Sequence, residues 1–324
     1  MATARERLQT LVDGGNLQPC AISMWKHFPH TDRNIDRFLQ RTASYQRAGN
    51  WDFLKISYNG LYSVEDWAVE IKWPADETTV GEVTRPAIRD ADDWRNLEPN
   101  PVDSGALARE LTATRGLVKE FSDQVPVIAT VFSPLTTAVK MCGEALIEQI
   151  ADAPDAVHRG LEVITQTTND FVDELVKIGV DGLFFASQLS TWDRLDLSAY
   201  ETFGKAYDLE VLKHAQSLWF NIFHVHGPRP MLQELSSYPV VALNWHDRVT
   251  GLSLSEARGF TDKILIGGVN EHETLLKGTE DEVRAEIADA VAQVPDGRLI
   301  LGPGCVVPLT VPEERLFRLG SLRP

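Results

Sequence analysis

Short apolar runs bounded by turn residues recur along the chain, at residues 20–24, 53–58, 127–132, 182–187, 218–225, 240–245, 264–269 and 298–301. Most are continuously hydrophobic and not alternating, the pattern of parallel strands covered on both faces. Between them lie amphipathic stretches with helical spacing, clearest at residues 107–122, 156–178, 195–216 and 281–294. In the last of these Val283, Ile287, Val291 and Val294 recur at three- and four-residue intervals. Eight strands alternating with helices predict an α/β chain folded as a (β/α)8 barrel of TIM type, with a doubly wound open sheet as the competing topology.

Two stretches depart from this rhythm. Residues 1–16 read as a helix ahead of the first strand, placed to cover the barrel floor. Residues 59–101 form a long excursion after the second strand, rich in Asp, Pro and Trp, which predicts a hairpin and a lid-like loop. Its aromatics Tyr62, Trp67 and Trp73 suit either the cover of a ligand or an interface with a second subunit. No repeat or linker divides residues 1–324, which read as one domain.

Composition narrows the function. At 43% hydrophobic and 24% charged residues the chain is of ordinary globular make-up. Its net charge of -16 argues against binding nucleic acid or an anionic membrane. The three cysteines, Cys20, Cys142 and Cys305, are too scattered for a disulfide framework, and no apolar stretch suits a signal peptide or membrane span. The expectation is a soluble cytoplasmic protein acting on a small molecule.

In barrels the chemistry gathers where strands run into the following loops. Those positions hold Trp25, Lys26, His27 and His30 after the first strand, Tyr58 and Asn59 after the second, and Ser133 after the third. Ser187 and Gln188 follow the fourth, and FHVHG, NWHD, GGVNEH and GPGC end the remaining four. Side chains two apart on a strand project to the same side, so His224 and His226 can share a metal ion, with Cys305 as a third ligand and a fourth position left open. The competing reading is a buried, hydrogen-bonded histidine pair with Cys305 as a small apolar filler. His246 suits either the metal shell or acid/base catalysis, with Asp247 orienting it or capping a turn. His27 is a second candidate catalyst, and Lys26, His27 and His30 together suit an anionic or metal-bound substrate. Tyr58, Asn59, Ser133, Ser187, Gln188 and Asn244 are candidate substrate-binding residues.

Several stretches, taken together, resemble the uroporphyrinogen decarboxylase superfamily. PVIATVFSPLTTAVKMCG (126–143) resembles its third-strand segment, GVDGLFFASQ its fourth, FHVHG its fifth and VVALNW its sixth. ILIGGVNEHETLLKGTEDEVRAEI and LILGPGCVVPLTVPEERL resemble its last two strands, so the likeness covers residues 120–320 and is loose before that. The resemblance implies a barrel, in agreement with the strand count.

The superfamily holds two chemistries. True uroporphyrinogen decarboxylases carry an arginine-rich motif after the first strand, an aspartate after the second, a tyrosine on the helix after the third and a final Gly-His. Here those places hold MWKHFPH, Tyr58-Asn59-Gly60, Lys140 and Cys305, while Arg33 and Arg37 lie in a helical pattern. The other branch comprises zinc-dependent methyltransferases that move methyl groups between a corrinoid protein and a thiol, with cobalamin-independent methionine synthase more distant. In those enzymes a His-x-Cys on strand five and a Cys after the last strand bind zinc; His224 and Cys305 match, and His226 replaces the middle cysteine. The resemblance therefore implies a zinc-dependent methyltransferase or demethylase with His224, His226 and Cys305 as ligands. It also implies a corrinoid protein as methyl donor and, by analogy with relatives, a homodimer. The alternatives are a metal-free decarboxylase of a porphyrinogen or smaller acid, and a non-catalytic corrinoid or tetrapyrrole carrier.

Overall fold

The computed structural model describes residues 2–323. Eight strands form one curled sheet: β1 (Ala21–Ile22), β2 (Leu54–Ile56), β3 (Val127–Phe132), β4 (Gly182–Ser187), β5 (Ile222–Val225), β6 (Ala242–Trp245), β7 (Ile264–Val269) and β8 (Leu299–Pro303). Every pairing from β2 through to β8 is parallel and between sequence neighbours, and β8 then pairs with β1. That last pairing makes the sheet a (β/α)8 barrel, because a doubly wound sheet would place β1 in its interior.

The seam between β1 and β2 is stitched chiefly by side chains. Asp52 N donates to Ile22 O at 2.9 Å, Ile22 N donates to the Asp52 carboxylate at 2.8 Å, and Ser23 Oγ donates to Phe53 O at 2.8 Å. Alternate residues of the strands fill the lumen, among them Phe53, Ile128, Phe184, Ile222, Ala242, Ile266 and Ile300, while the residues between them pack against the helices.

The first helix, Ala4–Val12, starts at a capping box between Thr3 and Glu6. Its Leu8 and Leu11 join the lumen cluster, and Arg5 and Arg7 pair with Asp181 and Asp52 beside the starts of β4 and β2, so this helix covers the floor. The expected helix over 195–216 appears as Leu197–Tyr200 and Ala206–His214 joined by a π-helical turn, Glu201–Lys205. The fifth strand is shorter than its apolar run. Asn221 intervenes, its side chain accepting from Leu183 N and donating to Ala215 O.

The excursion after β2 contains the expected hairpin, Glu70–Lys72 paired with Glu82–Arg85. Its other aromatics serve as anchors. Tyr62 is 2% exposed and donates to Thr130 O, Trp67 Nε1 donates to Glu98 O, and buried Trp94 packs against Gly160 with its Nε1 donating to Gln149. Tyr62 and Trp67 are thus core residues and leave Trp73 as the aromatic nearest solvent; it stacks under Arg33, 3.9 Å from the guanidinium to the ring centroid. Among the described residues no helix is long and apolar enough to cross a membrane.

Candidate metal centre

The inward register of β5 carries Ile222, then His224, then His226 at the strand's end. Gly227, at a φ of +121°, turns the chain away immediately afterwards. Across the mouth, β8 ends in a loop that brings Cys305 alongside. The ligand atoms of His224, His226 and Cys305 all lie within 4.8 Å of one another, with Cys305 Sγ 3.7 Å from His226 Nδ1.

Each donor has a supporting partner. His224 is buried, and its Nδ1 donates to Asn244 Oδ1 at 2.7 Å, which leaves Nε2 free to ligate. Asn244 is itself fixed, because its Nδ2 donates to Ile266 O at 2.9 Å and to Pro303 O at 3.1 Å. The Cys305 loop hangs from Glu271, a buried carboxylate that accepts from Gly304 N at 3.1 Å and Cys305 N at 3.0 Å. Gly304 is required there: a Cβ would fall 2.7 Å from His246 Cα. The same Glu271 stands 3.2 Å from His246 Nδ1, an ion-pair separation off the line of a hydrogen bond, and His246 Nε2 is 3.1 Å from His226 Nδ1.

The electrostatics follow from this packing. Burial pushes the Cys305 thiol up, yet the imidazoles of His224, His226 and His246 outweigh it and hold the thiol well below its ordinary range. Burial lowers His246, but the Cys305 sulfur and the Glu271 carboxylate raise it overall to about 10. Burial lowers His224, favouring the neutral ring that a metal ligand needs. Two imidazoles and a thiolate, with a fixed tautomer behind one and a carboxylate behind another, form a donor set that fits a tetrahedral ion with one position open.

The other expected residues are placed differently. Asn59 is buried with its Nδ2 unpartnered, and Gln188 lines a cleft of about 360 Å³ that also borders His226, Gly227 and Arg194. His27 lies at the mouth, its Nδ1 buried without a partner. Tyr58, Ser133 and Ser187, expected to bind substrate, instead point behind the barrel wall. Tyr58 OH meets Thr114 Oγ1 at 2.5 Å, Ser133 Oγ caps the helix Pro134–Cys142 by accepting from Thr136 N, and Ser187 Oγ meets Tyr200 OH at 2.9 Å. The reason is strand alternation: Phe53 and Lys55, Ile128 and Thr130, and Phe184 and Ala186 take the inward register, so the residues at these strand ends face out. Asn244 faces in but is engaged with His224. Lys26 is taken up by the segment after β8, donating to Leu309 O and Val311 O, both at 3.1 Å, and pairing with Glu313. Asp247 is anchored by Gly268 N and is not bonded to His246 through its side chain.

Glu271 and Lys55 went unassigned in the sequence. A lysine in the inward register of an apolar strand was the available signal for Lys55; Glu271 lay in an unremarkable Asn-Glu-His turn.

Comparison with known proteins places this arrangement. The family model described as uroporphyrinogen decarboxylase (URO-D) matches residues 21–322. A uroporphyrinogen decarboxylase from Crocosphaera subtropica is 26% identical over 253 residues, 73% of this chain and 68% of that protein. A methylcobamide:CoM methyltransferase from Methanosarcina acetivorans is 19% identical over 239 residues, 73% of this chain and 69% of that one. Among solved structures, a methyltransferase from Methanosarcina mazei superposes with a TM-score of 0.86 at 17% identity, covering 100% of this chain and 98% of its own.

Proposed function

The chain belongs to the uroporphyrinogen decarboxylase family, a family of enzymes, and from that premise we propose that it is a zinc-dependent methyltransferase or demethylase acting on a thiol or a similar nucleophile. The observation that supports this reading is the convergence of His224, His226 and Cys305, each with a supporting partner. Methyltransferases among its relatives support it further, and in this reading a corrinoid protein supplies the methyl group.

In this reading His224, His226 and Cys305 hold the zinc. When bound, the ion supplies a Lewis acid that lowers the pKa of a substrate thiol, and a second imidazole in place of a second thiolate leaves it more electrophilic. Asn244 keeps the His224 Nε2 directed into the lumen, and Glu271 fixes the Cys305 backbone. His246, bordered by Glu271 and 3.1 Å from His226, holds a proton beside the site and is available as an acid/base group. The lumen aromatics Trp25 and Phe184 keep water from the inner side of the donor set, the latter stacked on His224 at 5.2 Å between centroids.

Metal analysis of the purified chain tests the reading. About one zinc per chain is expected, and Cys305→Ser should lose it together with activity while circular dichroism and melting temperature stay near wild type. A metal-free protein that releases carbon dioxide from a carboxylic acid would instead establish the decarboxylase alternative, which the 26% identity to a uroporphyrinogen decarboxylase favours.

A further inference from the structure

Behind the barrel wall lies a carboxylate that the candidate centre does not use. Asp208, on the helix Ala206–His214, is fully buried, and among the described residues it has no ion-pair partner. Its Oδ2 accepts from Tyr200 OH at 2.6 Å and from Tyr238 OH at 2.9 Å, while Oδ1 has no hydrogen-bond partner. Burial pushes this carboxyl up to about 7 against the pull of the surrounding hydroxyls. An apolar side chain would fill the same space at less cost, so the reason for the carboxylate lies in what it holds.

Tyr200 carries the contact onward to the mouth. Its one hydroxyl proton goes to Asp208, so it accepts from Ser187 Oγ, 2.9 Å away. Ser187 is the last residue of β4, paired with Val225, and its carbonyl accepts from His226 N at 2.9 Å. The next amide, Gln188 N, donates to Thr136 Oγ1 at 2.9 Å, and Thr136 Oγ1 also accepts from Ser133 Oγ at 3.1 Å. Side chains of the helix layer thus pin β4 at the point where its ladder stops.

The backbone beside Tyr200 is shaped for this reach. Tyr200 ends the helix Leu197–Tyr200 and leads into the π-helical turn Glu201–Lys205, an arrangement that is rare and gathers at functional sites. Its ring lies against Gly204, where a Cβ would fall 2.6 Å from Tyr200 Cε2. Tyr238 offers a built-in contrast. Its hydroxyl bonds to the same carboxylate oxygen, but its ring stacks on Phe223 at 4.6 Å between centroids and it makes no hydrogen bond to β4.

We propose that Asp208, acting through Tyr200 and Ser187, is a positioning residue that fixes the end of β4 and thereby the backbone of His226 in the candidate metal centre. That His226 ligates zinc rests on the reading above; the control of its backbone does not.

Amide hydrogen exchange on the full metal-free chain reads the bond from His226 N to Ser187 O directly, with the Asp181 amide, bonded to Val127 O at the other end of the sheet, as internal control. Tyr200→Phe should speed exchange at His226 by about tenfold or more and Tyr238→Phe by less than about threefold, with Asp181 unchanged in both. Asp208→Leu, which removes both acceptors, should match Tyr200→Phe; should it fail to fold, the two tyrosine variants still decide. Each tyrosine variant deletes one hydroxyl from the same carboxylate oxygen, so a purely structural carboxylate predicts equal effects spread over both amides. Equal rates in the two variants, or wild-type exchange at His226 in Tyr200→Phe, overturns the proposal. Zinc affinity, from competition with a chromophoric chelator, should fall in the same order. Faster exchange at His226 with wild-type zinc affinity would overturn the claim that this control reaches the metal centre. The expected order of exchange in a protein that binds no zinc would overturn the zinc reading and leave the positioning of His226 standing.

Discussion

Strands β5, β6 and β8 bring His224, His226, His246 and Cys305 to the mouth with their supporting atoms already engaged, whereas β2 and the helix after β3 bring Lys55 and Lys140 there with one hydrogen bond each. On the first side Asn244 makes three hydrogen bonds, and Glu271 accepts from two backbone amides while facing His246. On the second side the cations face aromatic rings and neutral oxygens. A fixed second shell suits an ion that stays with the protein and needs its geometry set in advance. Donors left open suit a ligand that arrives and departs, because its charge is what completes them. The contrast separates a side of the mouth whose donors are positioned in advance from a side whose cations are left with neutral partners.

The sharpest way to break this contrast is to loosen the engaged side. Glu271→Gln keeps the shape but removes the charge that faces His246, and one amide oxygen must then serve both the Gly304 and Cys305 amides. Zinc affinity should fall by roughly ten- to a hundredfold, as for other second-shell substitutions, with the melting temperature of the metal-free protein changed far less. Competition with a chromophoric chelator measures this. An affinity within a factor of two of wild type would show that the loop holds Cys305 without Glu271, and the engaged side would lose its claim to preorganisation.

A second test addresses the open side. The lysines have folded-state values near 7, below the ordinary lysine range, so the folded protein binds fewer protons than the unfolded chain between those limits. Stability should therefore rise with pH from about 7 up to the ordinary lysine value, the burial cost being fully present below 7. Lys55→Met should flatten part of that rise and stabilise the protein at pH 6 by an amount on the order of one to a few kcal/mol. Denaturant titrations at several pH values give the slope. A variant no more stable than wild type at pH 6 would mean that the ammonium is solvated or paired in solution and that the two sides do not differ in this respect.

How far these features could be read from the sequence depends on what each rests on. The barrel was legible because strands buried on both faces must be apolar throughout, and the runs from 127–132 and 182–187 recur residue for residue as strands. The fifth run was overlong because an asparagine side chain, Asn221, replaces backbone pairing. That His224 and His226 project to one side followed from strand alternation, and the proximity of Cys305 from its place after the last strand. Ser133, Ser187 and Tyr58 were read one position out of register: at a strand end a single residue separates the lumen from the helix layer, and apolarity cannot mark which register faces in when both faces are buried. Glu271 was invisible for another reason. Its partners are backbone amides 33 and 34 residues away, a relation created only when the loop after β8 folds beside β7.

The smallest expected effect concerns the hairpin Glu70–Lys72 and Glu82–Arg85, which belongs to neither side of the mouth. Tyr62, Trp67 and Trp94 fix the rest of the excursion to the barrel and its outer helices, so only the hairpin and its exposed connection, residues 75–80, are free to act as a cover. Trp73 under Arg33 ties it to the loop after β1. A cation–π contact at such a partly exposed place is worth about 0.5–1 kcal/mol, so Trp73→Ala should raise KM by only about two- to fivefold and leave kcat nearly unchanged if the hairpin closes on substrate. Limited proteolysis at residues 75–80 distinguishes a cover from a contact between subunits. Cleavage that slows with added mercaptopropionate at fixed protein concentration identifies a cover over the open side. Cleavage that slows only as the protein is concentrated makes the hairpin an interface and not a cover.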